Sequence, residues 1–180
     1  MKLLIISVLL LLCACQLVIA QEQTIVSSGI FEKGVLLTFE LNGIEHKRGT
    51  DLTIKYRVQN RRKQNIYLIM DEVTPGDNPK KREMFISLFK FIHTYHSFEF
   101  PKLLKIKPNG KYEGKASLPL KFTKDQFAEG GLWLYLTIGY LDDQDISRIN
   151  NPRMLPIGAQ EFGERQKMLR AGPVKFDLFE

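Results

Sequence analysis

The chain has 180 residues, 44% hydrophobic and 26% charged, a balance that suits a globular domain and excludes a disordered or low-complexity one. Its formal net charge of +6 allows an anionic partner without demanding one, because lysines also keep strand edges from aggregating. Its two cysteines, Cys13 and Cys15, both precede Gln16, so residues 24–180 can hold no disulfide, cysteine-based zinc site or cysteine nucleophile.

Residues 1–20 read as an export signal: Lys2, an apolar run, then Val18-Ile19-Ala20 before the polar Gln21-Glu22-Gln23. Cleavage after Ala20 is the expected outcome. A second reading stays open, because Leu12-Cys13-Ala14-Cys15 resembles a bacterial lipobox. Lipidation at Cys15 would then anchor the protein to a membrane by its acyl chains. If uncleaved, the run is also near the roughly 20 apolar residues that span a bilayer. Residues 24–180 show no composition break and no internal repeat, and read as one domain.

The first candidate strand is 35–41. In 52–59 apolar and polar residues alternate without a break, which puts Leu52, Ile54, Tyr56 and Val58 on a core face. Residues 60–65 read as a basic hairpin loop carrying Arg61, Arg62 and Lys63. A strand over 66–71 follows, then a breaker-rich turn over 74–79, and a second basic cluster at Lys80-Lys81-Arg82. Strands are expected over 83–92 and 97–107. His93 and His96 lie between them with no third ligand in view, and are not read as a metal site.

Pro108-Asn109-Gly110 predicts a tight hairpin turn. In 112–122 the alternation resumes, and Pro119, which lacks an N–H, marks that strand as an edge or sits at a bulge. Residues 123–131 predict a short helical crossover, with capping-box spacing from Thr123 to Gln126 and a stop at Gly130-Gly131. The run 132–141 is apolar on both faces. Leu132, Leu134, Leu136 and Ile138 serve the core, leaving Trp133 and Tyr135 outward. Residues 142–172 form a long excursion with little strand pattern. It contains Ile146, Ile149, Met154, Leu155, Ile157, Phe162, Met168 and Leu169, and is expected to fold over Trp133 and Tyr135 as a packed cover or a mobile lid, with a short helix near 164–170. The last strand is 174–179.

These elements predict an all-β fold: an immunoglobulin-like antiparallel β-sandwich of about seven to eight strands. The succession of 52–60, then 123–131 leading into 132–140, resembles the B strand and the E–F crossover of immunoglobulin-like domains. The Cys…Trp…Cys hallmark is absent, so the resemblance is one of pattern and names no family.

Three groups of residues are candidates for function. Asp142, Asp143 and Asp145 gather carboxylates that could hold calcium, although EF-hand spacing is missing and a solvated turn is the plainer reading. Trp133 and Tyr135 are candidate binding residues, as are Arg61, Arg62 and Lys63. There is no nucleophile elbow, phosphate-cradling glycine loop or metalloprotease motif, and no cofactor is implied. The expectation is an exported, non-enzymatic binding module, periplasmic, secreted or at the cell surface. It would meet an unidentified protein or surface polymer through a strand edge, the basic loops or the 142–172 segment. Two alternatives are a lipid-anchored protein binding anionic polymers or membrane surfaces through its basic loops, and an enzyme with a site built from loops.

Overall fold

A computed structural model describes residues 25–42, 45–47, 51–70, 73–88, 100–119, 131–150 and 158–179. The leader with Cys13 and Cys15, the pair His93 and His96, residues 123–130 of the crossover and the segment holding Met154, Leu155 and Ile157 lie outside the described residues.

Two sheets pack face to face as an all-β sandwich. The first is antiparallel throughout, in the order β1 (Ile25–Glu32), β2 (Val35–Asn42), β4 (Asp51–Asn60), β9 (Lys111–Pro119). The second runs β3 (Glu45–Lys47), β11 (Lys167–Phe179), β10 (Leu132–Asp142), β5 (Ile66–Met70), β8 (Lys102–Ile106), and also holds β7 (Glu83–Ser87) and β6 (Thr74–Asn78). Alternation decides which side chains meet. Leu52, Ile54, Tyr56 and Val58 are buried as their spacing predicts, against Leu132, Leu134, Leu136, Ile138 and Tyr140 from β10. Each such aliphatic side chain contributes about 1.5–3 kcal/mol relative to exposure.

Several expectations need correction. The described residues hold eleven strands, and the second sheet is mixed: β7 runs parallel to β10, and β3 parallel to β11. β10 is long enough to pair with two strands on one edge, β7 along 133–137 and β5 along 140–142. β1 carries a weak apolar pattern and is set by a two-residue turn at Lys33 (φ 49°) and Gly34 (φ 78°), both left-handed as such hairpins require. The segment expected as a turn over 74–79 is the strand β6, ending in a 3-10 turn at Pro79–Lys81. Pro75 and Gly76 are tolerated because β6 is an edge strand paired only to β7.

The two connections expected as hairpins instead cross between sheets, from β4 to β5 and from β8 to β9. Asn109 does take the positive φ (59°), and the Gly110 N–H donates to the Lys107 carbonyl at 2.9 Å. Fully buried Asn60 ties both crossings together. Its amide nitrogen donates to the carbonyls of Gln64, Ile106 and Lys107, and its amide oxygen accepts from the Arg62 N–H. Pro119 ends β9, which is an edge strand as its proline predicts.

After β10 come helix α1 (Asp143–Ile149) and helix α2 (Ala159–Arg165), and β11 already begins at Lys167. The helix expected near 164–170 therefore lies earlier, and 167–171 is strand, paired from Tyr140↔Lys167 to Leu136↔Ala171. A bulge hides this strand from periodicity: Leu134 pairs Val174 and Leu136 pairs Ala171, so Gly172 and Pro173 together face Tyr135. Gly172 has φ +122°, and a Cβ there would sit 2.7 Å from the Leu134 carbonyl oxygen, so the bulge requires glycine.

Candidate binding surface

The outer face of the second sheet is divided in two. At the end near Asp142, Ile69, Leu141 and Phe162 form a small second core, with Tyr67, Leu103, Ile146 and Ile149 against it. Phe162, from α2, is 1% exposed and meets the Phe100 ring edge-on at 5.7 Å. Helices α1 and α2 thus cover this end, and not Trp133 and Tyr135 as expected; α1 has seven residues, or about 10 Å, and starts roughly 30 Å along β10 from Trp133.

The other end carries the aromatic side chains, and Trp133 is 41% exposed there. Register places three rows across β6, β7, β10 and β11. Asn78, Glu83, Trp133 and Lys175 form one, Gly76, Phe85 and Tyr135 the next, and Thr74, Ser87, Thr137 and Arg170 the third. The Tyr135 ring stacks on Phe85 with centroids 5.3 Å apart and planes 21° apart. The Arg170 guanidinium lies 5.0 Å over the same Phe85 ring, and its Nε donates to Thr137 Oγ1 at 3.3 Å. The Tyr135 hydroxyl donates to the Glu83 carboxylate at 3.5 Å. Gly76 has no side chain to crowd Phe85, and the Gly172 bulge passes close to Tyr135. The structure therefore brings the two predicted residues together with Phe85, Glu83 and Arg170, none of which the sequence marked. The only signal for Glu83 and Phe85 was the alternation within 83–87, which does not reveal that β7 lies beside β10, and Arg170 had none.

The acidic cluster has a structural role. Asp142 is the N-cap of α1, accepting from the Gln144 and Asp145 N–H groups, while the Asp145 carboxylate accepts from the Asp142 N–H at 2.9 Å. Lys167 Nζ bridges the two carboxylates, 3.0 Å from Asp142 and in direct contact with Asp145. Arg62 stands 3.6 Å from Asp142 and Arg165 3.9 Å from Asp145. Burial pushes the Asp142 carboxyl up, but hydrogen bonds from Lys167 and the Asp145 backbone outweigh it and hold the group below its ordinary value. Burial likewise disfavours the Lys167 ammonium, and the paired carboxylates raise it above the usual lysine value. Asp143 is lowered by the Asn65 side chain, with help from the Asn65 N–H and the Tyr67 hydroxyl. The calcium reading is replaced by a helix cap and an ion-pair network around an ammonium. Among the described residues no group of three or more His, Cys, Asp or Glu side chains is placed to hold a metal ion.

Arg61, Arg62 and Lys63 do not form one cationic surface. Arg62 is turned to Asp142, Arg61 lies 5.5 Å over the Phe31 ring, and Lys63 is exposed. On the outer face of the first sheet, a shallow groove of about 320 Å³ is lined by residues of both signs, among them Glu40, Lys55, Arg57, Glu113 and Lys115. Arg57 and Lys111 already neutralise Glu113, at 2.9 and 3.2 Å, and the lowered Glu113 carboxyl reflects Lys111 first and Arg57 second. Among the described residues, no helix is long and apolar enough to cross a membrane. No family model matches the chain, and no curated protein matches it.

Proposed function

We propose that the protein is an exported, non-enzymatic binding module whose contact surface is the uncovered aromatic half of the second sheet. The observation that carries this reading is Trp133, 41% exposed beside the stacked Tyr135–Phe85 pair, where a β-sandwich buries most of its large apolar side chains. Export rests on the leader pattern, with cleavage after Ala20 favoured over lipidation at Cys15. The fixed roles of Asp142, Asp143 and Asp145 support a non-enzymatic reading, since a carboxylate held in a cap or a tight ion pair is poorly placed to exchange protons with a substrate. The pairing of Arg62 with buried Asp142 favours the aromatic face over the basic loops as the contact surface.

An immunoglobulin-like relationship of the two sheets belongs to the same proposal. The pairs β4–β9, β5–β10 and β10–β11, with a crossing from β4 to β5, support it.

Intact mass of the exported protein tests the leader: a chain starting at Gln21 fits cleavage, one starting at an acylated Cys15 fits the anchor, and an unprocessed Met1 refutes export by signal cleavage. Retention tests the surface. Immobilised exported protein should retain material from its own envelope or secretome fraction, and Trp133→Ala should lose it. Equal retention by both proteins, or none by either, refutes the proposed face.

A further inference from the structure

The aromatic half-face has dimensions that select among partners. Four strands span about 14 Å and three side-chain rows about 13 Å, so the platform covers roughly 180 Å². A standard protein interface takes about 800 Å² from each partner, so this patch is small for a folded protein or a second copy of the chain. It suits a narrow, flat polymer lying across the strands.

Its chemistry narrows the choice. Trp133 presents an exposed aromatic side chain, with Tyr135 in the next row held by its stack on Phe85, and the flat C–H face of a pyranose ring covers such a surface well. Beside them the Glu83 carboxylate can accept hydrogen bonds from ring hydroxyls. Arg170 and Lys175 flank the aromatic rows on β11, and exposed Lys80 and Lys81 sit on the turn that joins β6 to β7. Cations thus border the platform on two sides, against Glu83 within it. That balance attracts an anionic polymer whose units also offer a flat face to the rings; a nucleic acid strand would meet the same cations, and oligo-thymidylate tests that occupant.

The geometry points to an acidic polysaccharide as the occupant: sugar rings stack on Trp133 and Tyr135, and carboxylates pair with Arg170 and Lys175. This inference rests on the binding-module reading above.

Trp133 is the only tryptophan in the chain, so its emission reports on the platform alone. Exported protein is titrated with polygalacturonate, with dextran as the neutral polymer and with oligo-thymidylate as the single-stranded nucleic acid. Polygalacturonate should shift the Trp133 emission saturably and shield it from iodide, while dextran binds at least about tenfold more weakly. Affinity electrophoresis in polygalacturonate gels then follows the variants. Trp133→Ala should weaken binding about tenfold, and Arg170→Gln with Lys175→Gln should do the same, with circular dichroism melts confirming that each variant is folded.

Oligo-thymidylate binding as tight as polygalacturonate would overturn the proposal in favour of nucleic acid. Concentration-dependent self-association that shields Trp133 would overturn it in favour of a second copy. Polygalacturonate binding that ignores Trp133→Ala would reduce the effect to general lysine attraction and overturn it as well. If polygalacturonate fails but retention from the envelope or secretome fraction still depends on Trp133, the ligand class is wrong and the module reading stands. If that retention is absent too, both fall.

Discussion

Lys167 should be the most sensitive surface-connected residue in the protein, and Lys167→Met isolates its charge while keeping most of the apolar stem. In the native protein Lys167 Nζ bridges Asp142 and Asp145, which are only 6% and 7% exposed. Removing one partner of a buried ion pair costs about 3–5 kcal/mol. Lys167 is itself about a third exposed, and Arg62 remains 3.6 Å from Asp142, so the expected loss is nearer about 2–3 kcal/mol. In a domain of this size that corresponds to a fall in melting temperature of about 5–10 °C. The pH dependence carries more information than the magnitude. In the native protein the depressed Asp142 contributes stability above its ordinary value of 3.8, lost as pH falls through its folded value. The raised Lys167 contributes stability below its ordinary 10.5, lost as pH rises through its folded value. The bridge is therefore complete between these limits. In Lys167→Met the Asp142 carboxyl keeps its burial but loses the ammonium that holds it down, so it takes up a proton more readily than in the native protein, and the difference between the two proteins should shrink on acidification. Urea unfolding followed by circular dichroism at about pH 7 and about pH 4.5 measures both effects. A loss under about 0.5 kcal/mol at neutral pH, or one that does not shrink in acid, would refute the reasoning.

Three further substitutions probe the rest of the frame. Asn60→Ala leaves the Gln64, Ile106 and Lys107 carbonyls without their buried donor and should cost about 2–4 kcal/mol by thermal melt; a loss under about 1 kcal/mol would mean the two crossings are not tied there. Phe162→Ala removes the centre of the small second core. Trypsin should then cut around α1 and α2 before the sandwich unfolds, whereas protection equal to wild type would show that the helices do not depend on it. Gly172→Ala combines a left-handed backbone with a Cβ placed 2.7 Å from a carbonyl oxygen. It should cost about 2 kcal/mol or more and move the Trp133 emission, because the bulge passes under Tyr135 beside it; an unchanged melt would contradict the requirement for glycine.

Much of the sandwich was legible because a period of two is a direct signature of a half-buried strand. Residues 52–59 and 132–141 declared both their extent and their inner face, and the structure keeps both. What periodicity does not carry is the identity of the neighbour. Asn60–Asn65 and Pro108-Asn109-Gly110 have the composition of hairpins, yet each crosses between sheets, because the buried Asn60 amide needs carbonyls from both loops. Phe85 and Arg170 reach the platform only through a parallel pairing and a bulged register, and neither leaves a local mark in the chain.

The openness of the platform has a cause in the same acidic residues that suggested a metal. A chain leaving β10 with apolar residues ahead of it, Ile146, Ile149 and Phe162, could have lain back along the strand and buried Trp133. Asp142 prevents this by capping a helix at once, and Asp145 closes the reciprocal bond, so the chain turns within one residue of the strand end. Lys167 then fixes the return: the residue that bridges both carboxylates is also the first residue of β11, so the loop between the helices and the sheet closes at the Asp142 end. With both exit and re-entry held there, α1 and α2 cover Leu141 and Ile69 and cannot extend to Trp133. The charges that looked like a cation site thus decide which half of the sheet α1 and α2 cover, and Trp133 in the other half stays exposed.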